Sequence, residues 1–255
     1  MRFDVITLFP DVFPGPLAAG VVGRAWEQGL IEIEAHDLRQ WGIGVHRQVD
    51  DIPYGGGPGM VLRPEPLFQA VRAVIEELGQ PAPRGILLSA HGRRLGTELI
   101  EELAREPRLL LVCGRYEGVD ERVRSGLDLD EISLGDFVVS GGELPAMMLI
   151  EAVARRLPGT LGDPQSALDE SFCEGLPEYP HYTRPAVFEG MEVPEVLRSG
   201  DHAKIASWRK EAARERAVRL RPDLLQDQGT VDPSTSKEEK GQGAALAGLP
   251  LGGAQ

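Results

Sequence analysis

Three glycine-dense segments in the middle of the chain constrain its fold most strongly. They are Tyr54–Met60 (YGGGPGM), Cys113–Arg122 (CGRYEGVDER) and Ser133–Ala146 (SLGDFVVSGGELPA). Glycine lets the backbone adopt positive φ and lets a ligand approach the main chain closely. We therefore expect three loops that build one pocket largely from backbone. The polar residues between the glycines would supply orientation and chemistry: Arg115, Glu117, Asp136 and Glu143. The alternative is ordinary turn glycines, since the chain has 31 Gly in 255 residues.

Apolar strand patterns alternate with helical patterns up to residue 156. The predicted strands are Arg2–Phe9, 31–36, Gly85–Ser89, Leu109–Cys113, Glu131–Leu134 and Phe137–Val139, and the predicted helices lie within 10–29 and at 67–78, Thr97–Arg105 and Glu143–Arg156. This alternation predicts an α/β fold with a mainly parallel sheet. In such sheets ligands bind beyond the carboxyl ends of the strands. Three predicted loops, Ser89–Gly92, Cys113–Arg115 and Ser133–Asp136, follow strands and are expected to converge on one edge.

The character of the sequence changes after residue 159, which we take as the end of the first domain (1–159). Residues 160–174 are polar without a clear period and are expected to form a flexible linker. Residues 175–225 are expected to form a small helical domain whose main helix ends near Pro222. The segment 226–255 is dominated by Gly, Ser, Ala and Gln and is expected to be disordered.

The net charge of −13 by itself argues against a nucleic-acid partner. However, residues 198–221 contain eight Lys and Arg against three acids. Such a segment is either a phosphate-binding surface or a solvated helix face. Two cysteines, and no paired Cys/His spacing, predict no metal site. No apolar run is long enough for a membrane span, and the N-terminus is a poor signal peptide, so we expect a cytoplasmic protein without membrane contact.

The usual nucleotide and hydrolase motifs are absent. No Gly-Lys-Ser/Thr follows the Tyr54–Met60 segment, no G-x-G-x-x-G follows the first strand, and there is no G-x-S-x-G. The five histidines show no metal-ligand spacing, and most are expected to be structural.

Seven longer motifs occur in order along the chain. They are Ile6–Pro10, Val49–Asp51, Tyr54–Met60, Cys113–Arg122, Ser140–Met147, His181–Pro185 and Gly190–Pro194. With these motifs the chain, over about residues 1–225, resembles the bacterial tRNA (guanine-N1)-methyltransferases of the SPOUT class. The resemblance implies a SPOUT-type trefoil-knotted parallel sheet domain, with the knot around 88–156, plus a small helical C-terminal domain that binds tRNA.

The resemblance also implies a cofactor, a partner and site residues. The cofactor is S-adenosylmethionine in a bent form, the family's activity suggests Mg²⁺, and the protein is an obligate homodimer with a shared active site. The product is N1-methylguanine just 3′ of the anticodon in the tRNA anticodon stem-loop. The implied cofactor-binding residues are Leu88, Ser89, Gly92, Gly114, Tyr116, Glu117, Leu134, Gly135, Asp136, Phe137, Val138, Val139, Gly141, Gly142 and Pro145. The implied RNA-binding residues are Asp50, Gly56, Gly57, Gly59, His181, Arg184, Lys204 and Arg209.

Guanine N1 carries a proton and is a poor nucleophile at neutral pH, so its methylation requires a general base and a cation near O6. By the resemblance the cation is Arg155, and the base lies in Ser166–Phe172. The family pattern Glu-Asp-Ser-Phe appears here as Asp169-Glu170-Ser-Phe. Alignment on Ser171 and Phe172 favours Glu170, and a one-residue slip would select Asp169.

Smaller departures occur in the loops. Ser89–Gly92 reads Ser-Ala-His-Gly, whereas Ser-Pro-Gln-Gly is more usual in the family. Val45 and Ile52 stand where arginine is common in some members of the family. The competing hypotheses are a related SPOUT enzyme with another RNA target, a non-catalytic RNA-binding protein, and a small-molecule α/β enzyme.

Overall fold

The computed structural model describes residues 1–163, 170–173 and 175–226. Contacts divide the chain into two compact units, Met1–Cys173 and a second unit that begins at residue 174. The expected disordered tail, except for its first residue, lies outside the described residues, as do 164–169 and 174 of the expected linker.

A five-stranded parallel sheet forms the centre of the first unit. Its strands are β1 (Arg2–Thr7), β2 (Glu32–Asp37), β5 (Arg84–Arg94), β6 (Arg108–Cys113) and β7 (Asp130–Ser133), and a separate antiparallel pair comprises β3 (Asp50–Asp51) and β4 (Val61–Leu62). The strand order in the parallel sheet is β2-β1-β6-β5-β7. Residues Leu109–Cys113 of the central strand β6 are all buried, as expected for a strand covered on both faces. The predicted α/β fold with a parallel sheet is thereby confirmed.

Helices cover both faces of this sheet. They are α1 (Gly20–Glu27), α2 (Pro64–Leu78), α3 (Thr97–Leu103), α4 (Glu121–Gly126) and α5 (Glu143–Ala154). Buried residues of α1, α3 and α5 belong to one apolar cluster, and those of α2 and α4 belong to a second cluster. The core therefore consists of two layers separated by the sheet.

Several predicted boundaries differ from the structure. The predicted strand Phe137–Val139 is wrong, because these residues form an exposed loop after β7 in which Val138 is 86% exposed. Strand propensity reflects packing on a half-buried surface, and this segment has no such surface. The region 10–29 is helical only at its end. Three prolines precede α1, and two short 3-10 turns, Pro10–Val12 and Gly15–Ala18, take the place of a longer helix.

The second unit contains short elements and one long helix. They are β8 (Val187–Phe188), β9 (Met191–Glu192), α6 (Glu195–Arg198), α7 (His202–Leu220) and α8 (Asp223–Gln226). The Asp201 carboxylate accepts a hydrogen bond from the Lys204 N–H and caps α7. Ala217 is the one buried residue among the described residues of this unit. In neither unit do the described helices include one long and apolar enough to cross a membrane.

Candidate active site

A cavity of about 170 Å³ lies at the carboxyl edge of the sheet, where the loops after β6 and β7 meet the irregular stretch of β5 between Leu88 and Arg93. Most of the predicted cofactor-binding residues line it: Leu88, Ser89, Gly114, Tyr116, Glu117, Leu134, Gly135, Phe137, Val138, Val139, Gly141, Gly142 and Pro145. The convergence expected from the strand ends therefore occurs in space. The binding role of these residues stays a prediction.

Two of the predicted residues do not line the cavity. Asp136 lies exposed in the loop after β7. Gly92 belongs to an excursion of β5, in which Leu88 and Arg93 both pair with Ile132. A side chain at Gly92 would begin 2.4 Å from the backbone of Ile132. Close packing of β5 on β7 thus accounts for this glycine.

Backbone contacts hold the two longer loops together. The Gly142 N–H donates to the Gly114 carbonyl at 2.8 Å, and a Cβ on Gly142 would lie 2.7 Å from the Cys113 Cα. Burial raises the pKa of the Cys113 thiol well above its usual value, with the Glu143 charge adding to the effect. This thiol is therefore protonated near neutral pH and is no nucleophile.

Ten further residues line the cavity that were not among the predicted ligands, and three of them have basic side chains: His91, Arg115 and Arg124. The His91 Nδ1 lies 3.3 Å from the Ser89 Oγ and 3.3 Å from the Arg124 Nη2. Most of the five histidines are expected to be structural, and His91 is not among the predicted ligands. Its place two residues after Ser89, in a loop expected to form the pocket, was the available signal. Arg115 stands between two glycines of a pocket segment, whereas nothing in the sequence places Arg124 at the cavity.

The Tyr54–Met60 loop adjoins the cavity through Glu117. A Cβ on Gly59 would lie 2.3 Å from the Glu117 Oε1, and the Glu117 N–H donates to the Met60 carbonyl at 3.0 Å. Two predicted sites, one for cofactor and one for RNA, therefore meet at this contact. Gly56 and Gly57 adopt φ of 77° and 121°. Asp50 lies in β3 and is half-buried.

The predicted catalytic residues Arg155 and Glu170 contact each other. The Arg155 Nη2 donates to the Glu170 carboxylate just beyond α5, and the two side chains are 33% and 29% exposed. Neither residue lines the cavity within the single chain. Asp169, the alternative base, lies outside the described residues.

In the second unit two of the predicted RNA-binding side chains contact Tyr179. The Arg209 guanidinium lies 4.6 Å from the Tyr179 ring centroid, and the His181 ring lies 4.7 Å from it. The Lys204 Nζ lies 3.1 Å from the Asp201 carboxylate, and Arg184 is exposed. The described residues contain no group of three His, Cys, Asp or Glu side chains that could hold a metal ion.

Comparison with known proteins gives a consistent result. Residues 1–227 match the family model described as tRNA (Guanine-1)-methyltransferase TrmD. Curated relatives named tRNA (guanine-N(1)-)-methyltransferase include one from Moorella thermoacetica, 53% identical over 88% of this chain and 90% of the relative. Another from Rhodopirellula baltica is 52% identical over 93% of this chain and 99% of the relative. The resemblance of the motifs is thereby confirmed, and the chain belongs to the tRNA (guanine-N1)-methyltransferase family of the SPOUT class.

Proposed function

We propose that the protein transfers a methyl group from S-adenosylmethionine to N1 of the guanine just 3′ of the tRNA anticodon. The observation that carries this proposal is the contact between Arg155 and Glu170, in a chain that also has a glycine-lined cavity at the carboxyl edge of its sheet. A non-catalytic binding protein would have no need of this pair.

The chemistry of the cavity lining suits the proposed cofactor. Gly135, Gly141 and Gly142 line the cavity with main chain, and Leu88 and Phe137 offer apolar walls for a purine ring. The cofactor supplies an electrophilic methyl group when bound. Glu117 has an exposed carboxylate at the cavity and can accept hydrogen bonds from ribose hydroxyls.

The catalytic pair fits the edge of guanine that reacts. N1 and O6 are adjacent on this edge, so a carboxylate and a guanidinium in contact can address both atoms. Glu170 accepts the N1 proton, and Arg155 stabilises the negative charge that develops on O6. A positioned base contributes about 10²–10⁴-fold to the rate. The contact with Arg155 supports Glu170 as the base, and Asp169 lies outside the described residues.

A homodimer would complete this site. The catalytic pair does not line the cavity of its own chain, and a second copy would bring its own pair to this cavity. Exposed apolar side chains beside the cavity support such an interface. Phe137 is 57%, Leu144 64% and Met148 60% exposed. A cluster of this kind marks an interaction surface.

The second unit would bind the anticodon branch of the tRNA through its exposed cations. Flipping the target base out of a loop costs a few kcal/mol, less than flipping it out of a duplex. Mg²⁺ for activity, a cytoplasmic location, the trefoil knot and the proposed domain roles remain predictions.

The function is tested by methyl transfer from labelled S-adenosylmethionine to two transcripts of one tRNA, with G or A just 3′ of the anticodon. Label on the G transcript alone is the expected result. Label on both transcripts would move the target to another position. No label on either, with cofactor binding verified, would contradict methyl transfer and favour an RNA-binding protein.

A further inference from the structure

A buried carboxylate lies at the start of α5 beneath the cavity. Glu143 is 3% exposed, its Oε1 accepts a hydrogen bond from the Thr7 Oγ1 at 2.7 Å, and its Oε2 lies 2.8 Å from the Arg115 Nη2. A charge buried to this extent is stable only with such partners. Its position in the first turn of a helix favours the negative charge further.

Arg115 connects the two loops that form the cavity. It extends from the loop after β6, and its Nη1 donates to the Ser140 carbonyl in the loop after β7 at 3.2 Å. Its guanidinium lies 4.4 Å from the centroid of the Phe9 ring. It also fills the space beside Gly141, where a Cβ would lie 2.2 Å from the Arg115 Nε. One side chain therefore ties together the end of β1 and both loops.

Glu143 and Thr7 do not line the cavity, whereas the loops that they hold do. Any influence of Glu143 on a ligand must therefore pass through Arg115 and the backbone that it supports. Because Glu143 does not line the cavity, we assign it a positioning role and not direct contact with the ligand.

We propose that Glu143 and Arg115 form a positioning pair that fixes the two loops in their ligand-binding form before S-adenosylmethionine enters. The inference rests on the proposed function, which assigns the cofactor to this cavity. Loops ordered in the free protein lose less conformational entropy on binding, and affinity rises accordingly. Two residues of the Ile6–Pro10 motif contact the pair, since the Thr7 hydroxyl donates to Glu143 and the Phe9 ring lies beside Arg115. The motif therefore attaches the pair to the end of β1.

The test measures the Kd for S-adenosylmethionine by calorimetry, and kcat at saturating cofactor, for the full-length wild type and Glu143→Gln. The variant keeps the side-chain shape and removes the charge. We expect its Kd to rise about tenfold, while kcat at saturating cofactor and the Kd for tRNA stay at wild-type values. Glu151→Gln, which changes an exposed acid on the same helix, is the matched control and is expected to bind as the wild type does.

The outcomes separate this inference from the proposed function. A wild type that does not bind S-adenosylmethionine would overturn both. A wild type that binds, with folded Glu143→Gln binding equally well, would overturn the positioning pair alone. Should Glu143→Gln fail to fold, Thr7→Val removes the hydrogen bond to the same carboxylate, together with the one that the Thr7 Oγ1 accepts from the Phe9 N–H. This variant is expected to raise the Kd about threefold, and an unchanged Kd would then contradict the pair.

A double-mutant cycle tests whether Glu143 affects cofactor binding through Arg115. Because Glu143 acts through Arg115, adding Arg115→Gln to Glu143→Gln is expected to weaken cofactor binding little beyond the single variants. Fully additive losses in affinity would show that the two residues act independently and would overturn the inference.

Discussion

The cavity of the first unit and the long helix of the second unit present their polar groups in opposite ways. Around the cavity, Glu143 is buried and Arg115 is fixed by partners from three segments. On helix α7, Lys210 and Arg214 are exposed, and neither has a side-chain partner within the part of the chain that the structure describes. The first arrangement suits a small ligand that needs fixed geometry. The second suits a polyanion bound through its charge.

The proposed catalytic pair gives the largest expected effect. It differs from both regions, because its side chains are partly exposed but must hold a fixed geometry. Replacing Arg155 or Glu170 with Ala removes the cation or the base, so turnover should fall about 10²–10⁴-fold. The Kd for S-adenosylmethionine should stay near the wild-type value, since neither residue lines the cavity. Single-turnover methyl transfer and calorimetry measure the two quantities.

Asp169→Ala is the matched control for this experiment and should retain activity. Full activity in Glu170→Ala, together with loss in Asp169→Ala, would show that the neighbouring carboxylate is the base.

The next effect concerns the close approach of the two cavity loops. In Gly142→Ala the added methyl group meets the Cys113 backbone, and such overpacking costs about 1–3 kcal/mol. We expect this strain to shift the loops and weaken cofactor binding about tenfold or more. Gly162→Ala is the control, because a Cβ there meets nothing within 4 Å. Equal affinities in the two variants would mean that the cavity tolerates loop displacement.

Asp4 is a buried carboxylate in β1 of the central sheet, and it does not line the cavity. Replacing it should change the stability of the fold without changing the affinity for the cofactor. Burial opposes ionisation of Asp4, but hydrogen bonds from His36 and Arg2 outweigh it and lower the pKa of this carboxyl. A lowered pKa means that the ionised form stabilises the fold above the ordinary Asp pKa, and that this contribution is lost as the pH falls through the folded value.

Asp4→Asn should therefore lower the free energy of unfolding by about 2 kcal/mol at neutral pH. The difference from the wild type should shrink in acid, where the wild-type carboxyl also becomes neutral. Denaturant unfolding at a series of pH values measures this trend, and the Kd for cofactor should not change. If the two free energies of unfolding still differ below the pKa of Asp4 in the folded protein, the loss of stability comes from packing and not from the charge.

The smallest effects are expected on α7. Replacing Lys210 or Arg214 with Ala should weaken tRNA binding modestly and reduce the slope of log K against log salt by about 0.7–0.9 per cation. Glu211→Gln, an exposed neutralisation on the same helix, should leave that slope at its wild-type value. Salt titrations of tRNA affinity measure both, and unchanged slopes in the Lys and Arg variants would place the RNA elsewhere.

The parallel sheet could be predicted because its central strands are continuous apolar runs, such as Leu109–Cys113. The meeting of three loops followed from the same prediction, since parallel strands end at one edge. What could not be predicted depends on contacts between distant residues. Gly92 reads as a pocket glycine but packs against Ile132, and Arg124 lines the cavity although nothing in the sequence places it there.

Local propensity also failed where tertiary context was decisive. Phe137–Val139 has strand-forming residues but no neighbouring strand, so it remains an exposed loop. The link between Arg115, Thr7 and Glu143 spans 136 residues of sequence and becomes visible only in three dimensions.

The proposed role of the Arg155–Glu170 pair is to direct methylation to a base nitrogen. Mass spectrometry of nucleosides digested from tRNA methylated by the protein identifies the product most directly. We expect a methylated guanosine whose extra mass remains on the base fragment and that co-elutes with N1-methylguanosine. A methyl group on the ribose fragment, or on a base atom other than N1, would contradict it.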